Sequence, residues 1–580
     1  MRSPDFLPAR MRAAVPTFAS VLVVVALTAC GTGSGEPARP AHPTAASVEQ
    51  TTPGSRPPLA LLASFDGLGF GFDGPQGPAT GRNPSDNSLA VGPNHIVQIV
   101  NSRLAIFTKK GAKFDTTGKV LYGAVPTNTV FKGFGGTCEA QNNGDAVVRY
   151  DQLAQRWLIV MPIFRRTNAH LDDTIPWVAD HHGAYVSQPG VAGQPGRAAK
   201  LFVPPTVPPT SPEAQARQAV ANQRARRHRR AHRPPQGTGP YAMCYALSTS
   251  PDPLGSWYRY EFLRPLFPDY PRPAVWPDGY YVPTSTGDKV IQKQACVVDR
   301  ARMLKGEPAT EQCVIVDGVN FLNNADLEGH TLPPAGAPNI VMAAGGTQLR
   351  NHFADSVIYA WQYHVDWADA SKTTLTGPER IPVAPYHYLC DGQLTKCVPQ
   401  PGTDRRLDAQ GDKIMARLVY RNVNGRESVV AVHSVATTAG AGGVRWYEFT
   451  VGPQRSITLR QQGTYAPDAS YRWMASPAID ALGDIGIGYS FGDSTHFAGQ
   501  RFAGRQADDS LGVLTFRETV LARGEDAQRG SLRWEDYTQT AVDPSDDCTI
   551  WYVGDYVRKG APTYSTRIGA FRFPGCHAAQ

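Results

Sequence analysis

The chain has 580 residues with 41% hydrophobic and 9% aromatic content, enough for a sizeable core, which excludes a mostly disordered protein. Its 56 glycines and 49 prolines exceed average usage, favouring many turns and short strands and excluding long coiled coils. The formal charge of +7 is mildly basic, and its location decides what it means.

Arg2, Arg10 and Arg12 precede an apolar run through Val21, Leu22, Val23, Val24 and Val25, which ends Leu27-Thr28-Ala29-Cys30-Gly31. That order of basic, apolar and small residues predicts a secretory signal peptide over residues 1–29. Its last residues resemble a bacterial lipobox, so Cys30 is the expected lipid attachment site. The expected location is exported, anchored by that lipid to the cell membrane or outer membrane. Residues 30–58 are rich in Gly, Ser, Thr, Pro and Ala and read as a disordered tether. No later stretch reaches the ~18 apolar residues of a spanning helix, so residues 59–580 are expected to form a soluble domain at a membrane surface.

Within that domain a phrase recurs: a short strand end, a turn rich in Asp, Pro, Gly or Asn, then a strand of β-branched and aromatic residues. It appears at Leu89–Val100, Ala274–Val282, Ala478–Tyr489 and Ala541–Tyr552. Looser copies begin at Val148 and Arg406, and a weak one lies near Pro338–Met342. Hairpin units repeated on this scale predict an all-β fold, a β-propeller of six or seven blades with seven favoured; a pair of β-sandwiches or a β-helix competes. Asp299–Gly306 reads as one short helix with a glycine stop. Residues 165–240 interrupt the repeat with a proline-rich stretch and then Arg224-Ala225-Arg226-Arg227-His228-Arg229-Arg230, and read as a disordered surface insertion. This insertion holds eleven Lys/Arg and four Asp/Glu, so it carries +7 by itself. The basic balance is therefore local. It suits an anionic polymer or headgroup and does not indicate specific nucleic-acid binding.

Apart from Cys30, eight cysteines remain, an even number in an exported chain. If Thr549–Val557 and Thr566–Phe573 pair as a hairpin about residue 562, Cys548 falls opposite Cys576. Short separations suggest Cys390–Cys397 and Cys296–Cys313, which leaves Cys138–Cys244. No C-x-x-C spacing occurs, so metal ligation by these cysteines is not expected.

The segment Arg533-Trp534-Glu535-Asp536-Tyr537, followed by Ala541-Val542-Asp543-Pro544-Ser545-Asp546-Asp547-Cys548-Thr549-Ile550-Trp551-Tyr552, resembles a family of exported bacterial proteins with sialidase-like propeller architecture. In that family the last repeat reads R-W-G-D-Y, then V-D-P-x-D-D-C-T-x-W-Y. Ala90–Asn94, Phe134–Glu139, Phe267–Pro271, Val365–Ala368 and Gln462–Asp468 are similar to it as well. The resemblance spans roughly 60–580 outside the insertion. It implies the fold and brings no established activity. Glu535 departs from the pattern, standing where the family has Gly, and the S-x-D-x-G-x-x-W box of sialidases is not met.

Four Arg-Trp pairs occur, at 156–157, 445–446, 472–473 and 533–534. In a strand each Trp would pack between sheets while its Arg faces the other way. Arg472, Trp473, Arg533, Trp534 and Asp536 are the ligand-binding candidates, because arginines converging on a central funnel would fork onto a carboxylate. The alternative is that each Arg pairs with a nearby turn aspartate. No catalytic residues are assigned. Glu535, Asp536, Asp546 and Asp547 offer carboxylates for acid/base work, and Asp543, Asp546 and Asp547 offer oxygen ligands for Ca²⁺, but turn aspartates commonly bond their own backbone. No cofactor is expected otherwise. The reading is a monomeric, surface-anchored lipoprotein that binds carbohydrate or another surface polymer. A sialidase-like glycoside hydrolase or lyase, and a non-catalytic assembly scaffold, are the alternatives.

Overall fold

The computed structural model describes residues 44–164, 184–187, 199–200 and 241–577, except residues 80, 265, 286–291, 347–350 and 394–395. The signal peptide, Cys30 and most of the 165–240 insertion lie outside the described residues. Among the described residues no helix is long and apolar enough to cross a membrane.

The all-β expectation holds. Among the described residues, seven antiparallel units of at least four strands follow one another. Their first strands are Ser88–Val91, Val147–Asp151, Ala274–Trp276, Asn323–Leu327, Leu418–Val423, Tyr471–Ile479 and Gln539–Val542. Each first strand abuts the first strand of the next unit, and the seventh abuts the first, which closes a ring around an axis. The seventh unit takes its outermost strand, Leu61–Asp66, from near the start of the described chain, where it pairs with Ser565–Phe571. Two pieces of the insertion, Ala184–Ser187 and Ala199–Lys200, add outer strands to the third and second units.

The core lies between neighbouring sheets. Leu158, Val160 and Tyr245 of the second unit pack with Val275 and Tyr280 of the third. Phe107 and Val97 of the first unit lie at the seams to either side, Phe107 with Trp551 and Ile568 of the seventh. The sixth and seventh units approach so closely that a Cβ on Gly488 would sit 2.4 Å from the Tyr552 ring, so only glycine fits there. The turns use their aspartates as the β-turn chemistry requires. Asp151 accepts from the Leu153 and Ala154 N–H groups (both 3.1 Å), and Asp480 from those of Leu482 and Asp484 (2.9 and 3.0 Å).

Five of the repeat phrases mark a first-to-second-strand hairpin. Two do not. Arg406 lies in a small side hairpin with Val398–Gln400, and the fifth unit's true hairpin is Leu418–Val423 with Arg426–Ala436. Asn339–Ala344 is a second strand whose first is Asn323–Leu327. The expected helix is present as Arg300–Lys305, with Asp299 as N-cap and Gly306 left-handed at its end.

All four disulfides form as paired above. Cys296 stands directly opposite Cys313. The last hairpin, however, has Ile550 opposite Phe571, three residues away from the expected register. Cys548 and Cys576 both lie beyond the strand ends, where the chain is free to bring their Cα atoms to 5.6 Å. The tether reading also shortens. Glu49–Gln50 pairs parallel with Thr464–Tyr465, and Gln50 bonds the Leu514 N–H and carbonyl, so the segment is seated on the domain well before residue 59.

Candidate functional site

The Arg-Trp pairs place their tryptophans in the core: Trp157, Trp446, Trp473 and Trp534 are all fully buried. Their arginines do not converge on the axis. Arg472 is buried and fully paired, donating to both Asp468 oxygens (2.8 and 2.9 Å) and both Glu518 oxygens (2.8 and 3.1 Å). Arg445 bonds Thr464 Oγ1 and the Ala384 carbonyl. Arg156 is turned back onto the carbonyls of Ala154 and Gln155. Arg533, about a third exposed, joins Asp408 (2.7 Å) and Asp536. Trp534 donates from Nε1 to Ser490 Oγ at 2.9 Å.

The departure at Glu535 has a conformational meaning. Residue 535 has φ +56°, a left-handed value that a glycine adopts without strain. The buried Glu535 carboxylate compensates by accepting from the Asp555 N–H, Gln500 and Ser490. Asp543, Asp546 and Asp547 do not share one site. They face Lys109, Arg572 and Arg421 respectively.

The cavity that does lie on the axis is built mostly from other residues, and of the carboxylates singled out in the sequence only Asp547 lines it. It has an empty volume of about 470 Å³ including its mouth, and sits where the first strands end. Arg149, Asp326, Glu328 and Arg417 form its charged lining, each at most 6% exposed. Arg417 bridges the two carboxylates, with Nε 2.8 Å from Asp326 and Nη1 on Glu328. Asp326 also accepts from the Val275 N–H and Glu328 from the Ile479 N–H, both at 2.8 Å. Burial works against the Arg417 charge, but Glu328 and Asp326 hold its pKa above the ordinary value. Burial raises that of Glu328 in spite of Arg417.

Arg149 is bonded less completely. Nε donates to the Pro273 carbonyl (2.9 Å) and lies 3.3 Å from Asp326, and Nη1 donates to the Val148 carbonyl. Among the described residues Nη2 makes no hydrogen bond. Burial pulls the guanidinium down to about 10 against the pull of Asp326, with Arg417 adding to the fall. His330 and Gln152 stand at the rim. None of these four lining charges was a sequence candidate. Their signal was a charged residue within an apolar first strand, as in Val148-Arg149-Tyr150 and Ala325-Asp326-Leu327.

Comparison with protein-family models and with curated protein sequences gave no match. Among solved structures the chain is similar, at 10% identity and TM-score 0.34, to the intramolecular trans-sialidase from Ruminococcus gnavus, over 74% of this chain and 95% of that one. It is similar to the leech intramolecular trans-sialidase at 11% identity and TM-score 0.32, over 70% and 65% of the two chains. A protein of unknown function from Dyadobacter fermentans matches at 10% identity and TM-score 0.31, over 89% of this chain and all of that one. At such distance the chemistry of the cavity itself must carry a functional reading.

Proposed function

We propose that the seven units are the blades of a seven-bladed β-propeller, and that the chain is a lipid-anchored surface module whose axial cavity binds the carboxylate of an acidic carbohydrate. The observation that carries this is Arg149. It is a buried guanidinium in the cavity wall whose Nη2 has no partner among the described residues, and an incoming carboxylate would supply one. A sugar acid is favoured among anions because the sequence phrases resemble a family of sialidase-like architecture.

Binding is favoured over hydrolysis. Acid/base cleavage of a glycoside needs two carboxyl groups about 5–10 Å apart that are available to the substrate. Asp326 and Glu328 are instead clamped on one guanidinium and on backbone N–H groups. The anchor is assigned to Cys30 and the contact with anionic headgroups or polymer to the basic insertion.

Titration calorimetry with uronate and sialic-acid oligosaccharides tests the reading. Arg149→Gln should weaken binding by about 10- to 100-fold, the worth of hydrogen bonds to a charged group. Arg533→Gln should leave it unchanged. Equal affinity in wild type and Arg149→Gln, or turnover of the oligosaccharides, would overturn it.

A further inference from the structure

The opposite end of the axis, where the first strands begin, carries a second concentration of charge. Asp86, Asp145, Asp269, Asp412 and Asp536 each stand a few residues upstream of a first strand. The ring brings these positions together. The Asp86 N–H donates to the Glu535 carbonyl (2.7 Å), the Asn87 N–H to the Tyr537 carbonyl (3.1 Å), and the Tyr270 hydroxyl to the Asp536 carbonyl.

Some of these carboxylates are neutralised. Asp408 and Asp536 share Arg533, and Asp412 holds Lys413. Asp86 and Asp145 form no ion pair among the described residues. They are within hydrogen-bonding reach of each other, and Asp145 reaches Asp269 in turn. Asp86 Oδ2 accepts from Asn101 at 2.6 Å, while its Oδ1 is buried without a partner. Two carboxylates in contact with no donor between them need either a proton or a cation.

A second observation points to the cation. The Tyr537 hydroxyl is buried, with the side chain only 3% exposed, and it has no hydrogen-bond partner. It lies within electrostatic reach of Asp86, Asp145 and Asp536, and its ring packs edge-on against Tyr270, whose hydroxyl bonds the Asp536 carbonyl. A shared proton would satisfy the acid pair and leave this oxygen unused. A hydrated ion would offer it a water. Access exists too, since Asp145, Asp269 and Asp536 are only partly buried while Asp86 and Tyr537 form the floor.

We propose that this cup is a binding site for a hydrated hard divalent cation, with Asp86 and Asp145 as its carboxylate ligands and Asp269 and Asp536 at its rim. The carboxylates meet in pairs. Among the described residues the only trio of Asp, Glu, His or Cys groups with ligand atoms all within 4.8 Å is Cys296, Glu311 and Cys313, two of which form a disulfide. An ion in the cup therefore keeps several waters, as Mg²⁺ does beside one or two carboxylates and as Ca²⁺ tolerates. The site is independent of the sugar-acid reading, because it uses none of the cavity's residues.

The test uses the full chain, stripped with EDTA and held at pH 7.5. Thermal midpoints are read against CaCl₂ and MgCl₂, with NaCl at matched ionic strength, and Tb³⁺ emission is excited through tyrosine. Expected are a saturable midpoint rise with one or both divalent salts and a Tb³⁺ signal that the effective ion displaces. Asp86→Asn and Asp145→Asn should each weaken the response by at least about tenfold. If Asp86→Asn does not fold, Asp145→Asn, at a partly exposed position, decides. No saturable response in wild type, or an unchanged one in Asp145→Asn, overturns the proposal. Which salt is effective separates Ca²⁺ from Mg²⁺.

Discussion

Replacing Arg472 by Ala should destabilise the protein without touching ligand affinity, and the structure sets the size of the loss. The guanidinium is fully buried and makes four charge-assisted bonds, two to Asp468 and two to Glu518. The two partners respond differently to its removal. Asp468 is half exposed and would rehydrate at small cost. Glu518 is 13% exposed and would keep only Arg501 (2.7 Å) and the Tyr489 hydroxyl (2.8 Å). Burial opposes the Glu518 charge, and it is Arg472 and Arg501 that hold its pKa below the ordinary value. Breaking a buried pair costs about 3–5 kcal/mol, and the surviving Arg501 contact places this case near the lower end, about 3 kcal/mol. The packing of Arg472 over the Phe491 and Tyr465 rings is lost as well.

Urea unfolding measures this, with the midpoint falling at constant m. The double variant Arg472→Ala/Glu518→Gln should recover part of the loss, because the orphaned charge is gone, giving a coupling energy of about 1 kcal/mol or more. Two results would refute the reasoning. One is a midpoint shift worth less than about 1 kcal/mol. The other is a double variant as unstable as the sum of the singles.

Two further outcomes follow from individual residues. Burial, reinforced by Asp484, raises the Asp480 carboxyl to about 7, with Arg421 opposing. Its unfolded value is ~3.9, so its stabilising contribution is full below about pH 4 and is lost as pH rises to about 7, by up to ~1.4 kcal/mol per pH unit. Asp480→Asn keeps the Oδ1 acceptor for Leu482 and Asp484 and should flatten that stretch of the stability–pH curve; parallel curves for the two proteins would contradict the assignment. Cys30→Ser should move the protein from the membrane to the soluble fraction on cell fractionation, and continued sedimentation with membranes would remove the lipid anchor from the proposal.

Much of the architecture was legible because its causes are local. Turn aspartates and β-branched strands announce themselves within ten residues, and so did the Asp299–Gly306 helix. Register and unit boundaries were less so. The fifth unit's phrase at Arg406 starts on the second strand of a side hairpin whose turn lies at residues 401–402, and only tertiary pairing shows that Leu418–Val423 is the inner strand. The Cys548–Cys576 bridge was paired correctly on a register three residues out, because a disulfide outside the strands does not report the ladder between them.

The sites were hidden for a related reason. In a ring of sheets only the first strand of each unit and its approach reach the axis, so an arginine's place in its unit matters more than its neighbour. Arg156 begins a second strand and Arg445 lies on a third. Arg472 lies ahead of the bulge between Trp473 and Ser476, beyond which the strand passes the axis at Ser476 and Thr540. Arg149, Asp326 and Arg417, by contrast, lie within or beside first strands. The same rule exposes the acidic cup. Asp86 and Asp145 each precede a first strand by two residues and Asp536 precedes one by three, a recurrence invisible until the first strands are known. Symmetry then does what sequence separation cannot: positions 86, 145 and 536 become neighbours because each opens its own unit at the same end of one axis. Acidic residues repeated at one such position repel one another unless something positive is supplied, and among the described residues no cationic side chain forms an ion pair with Asp86 or Asp145.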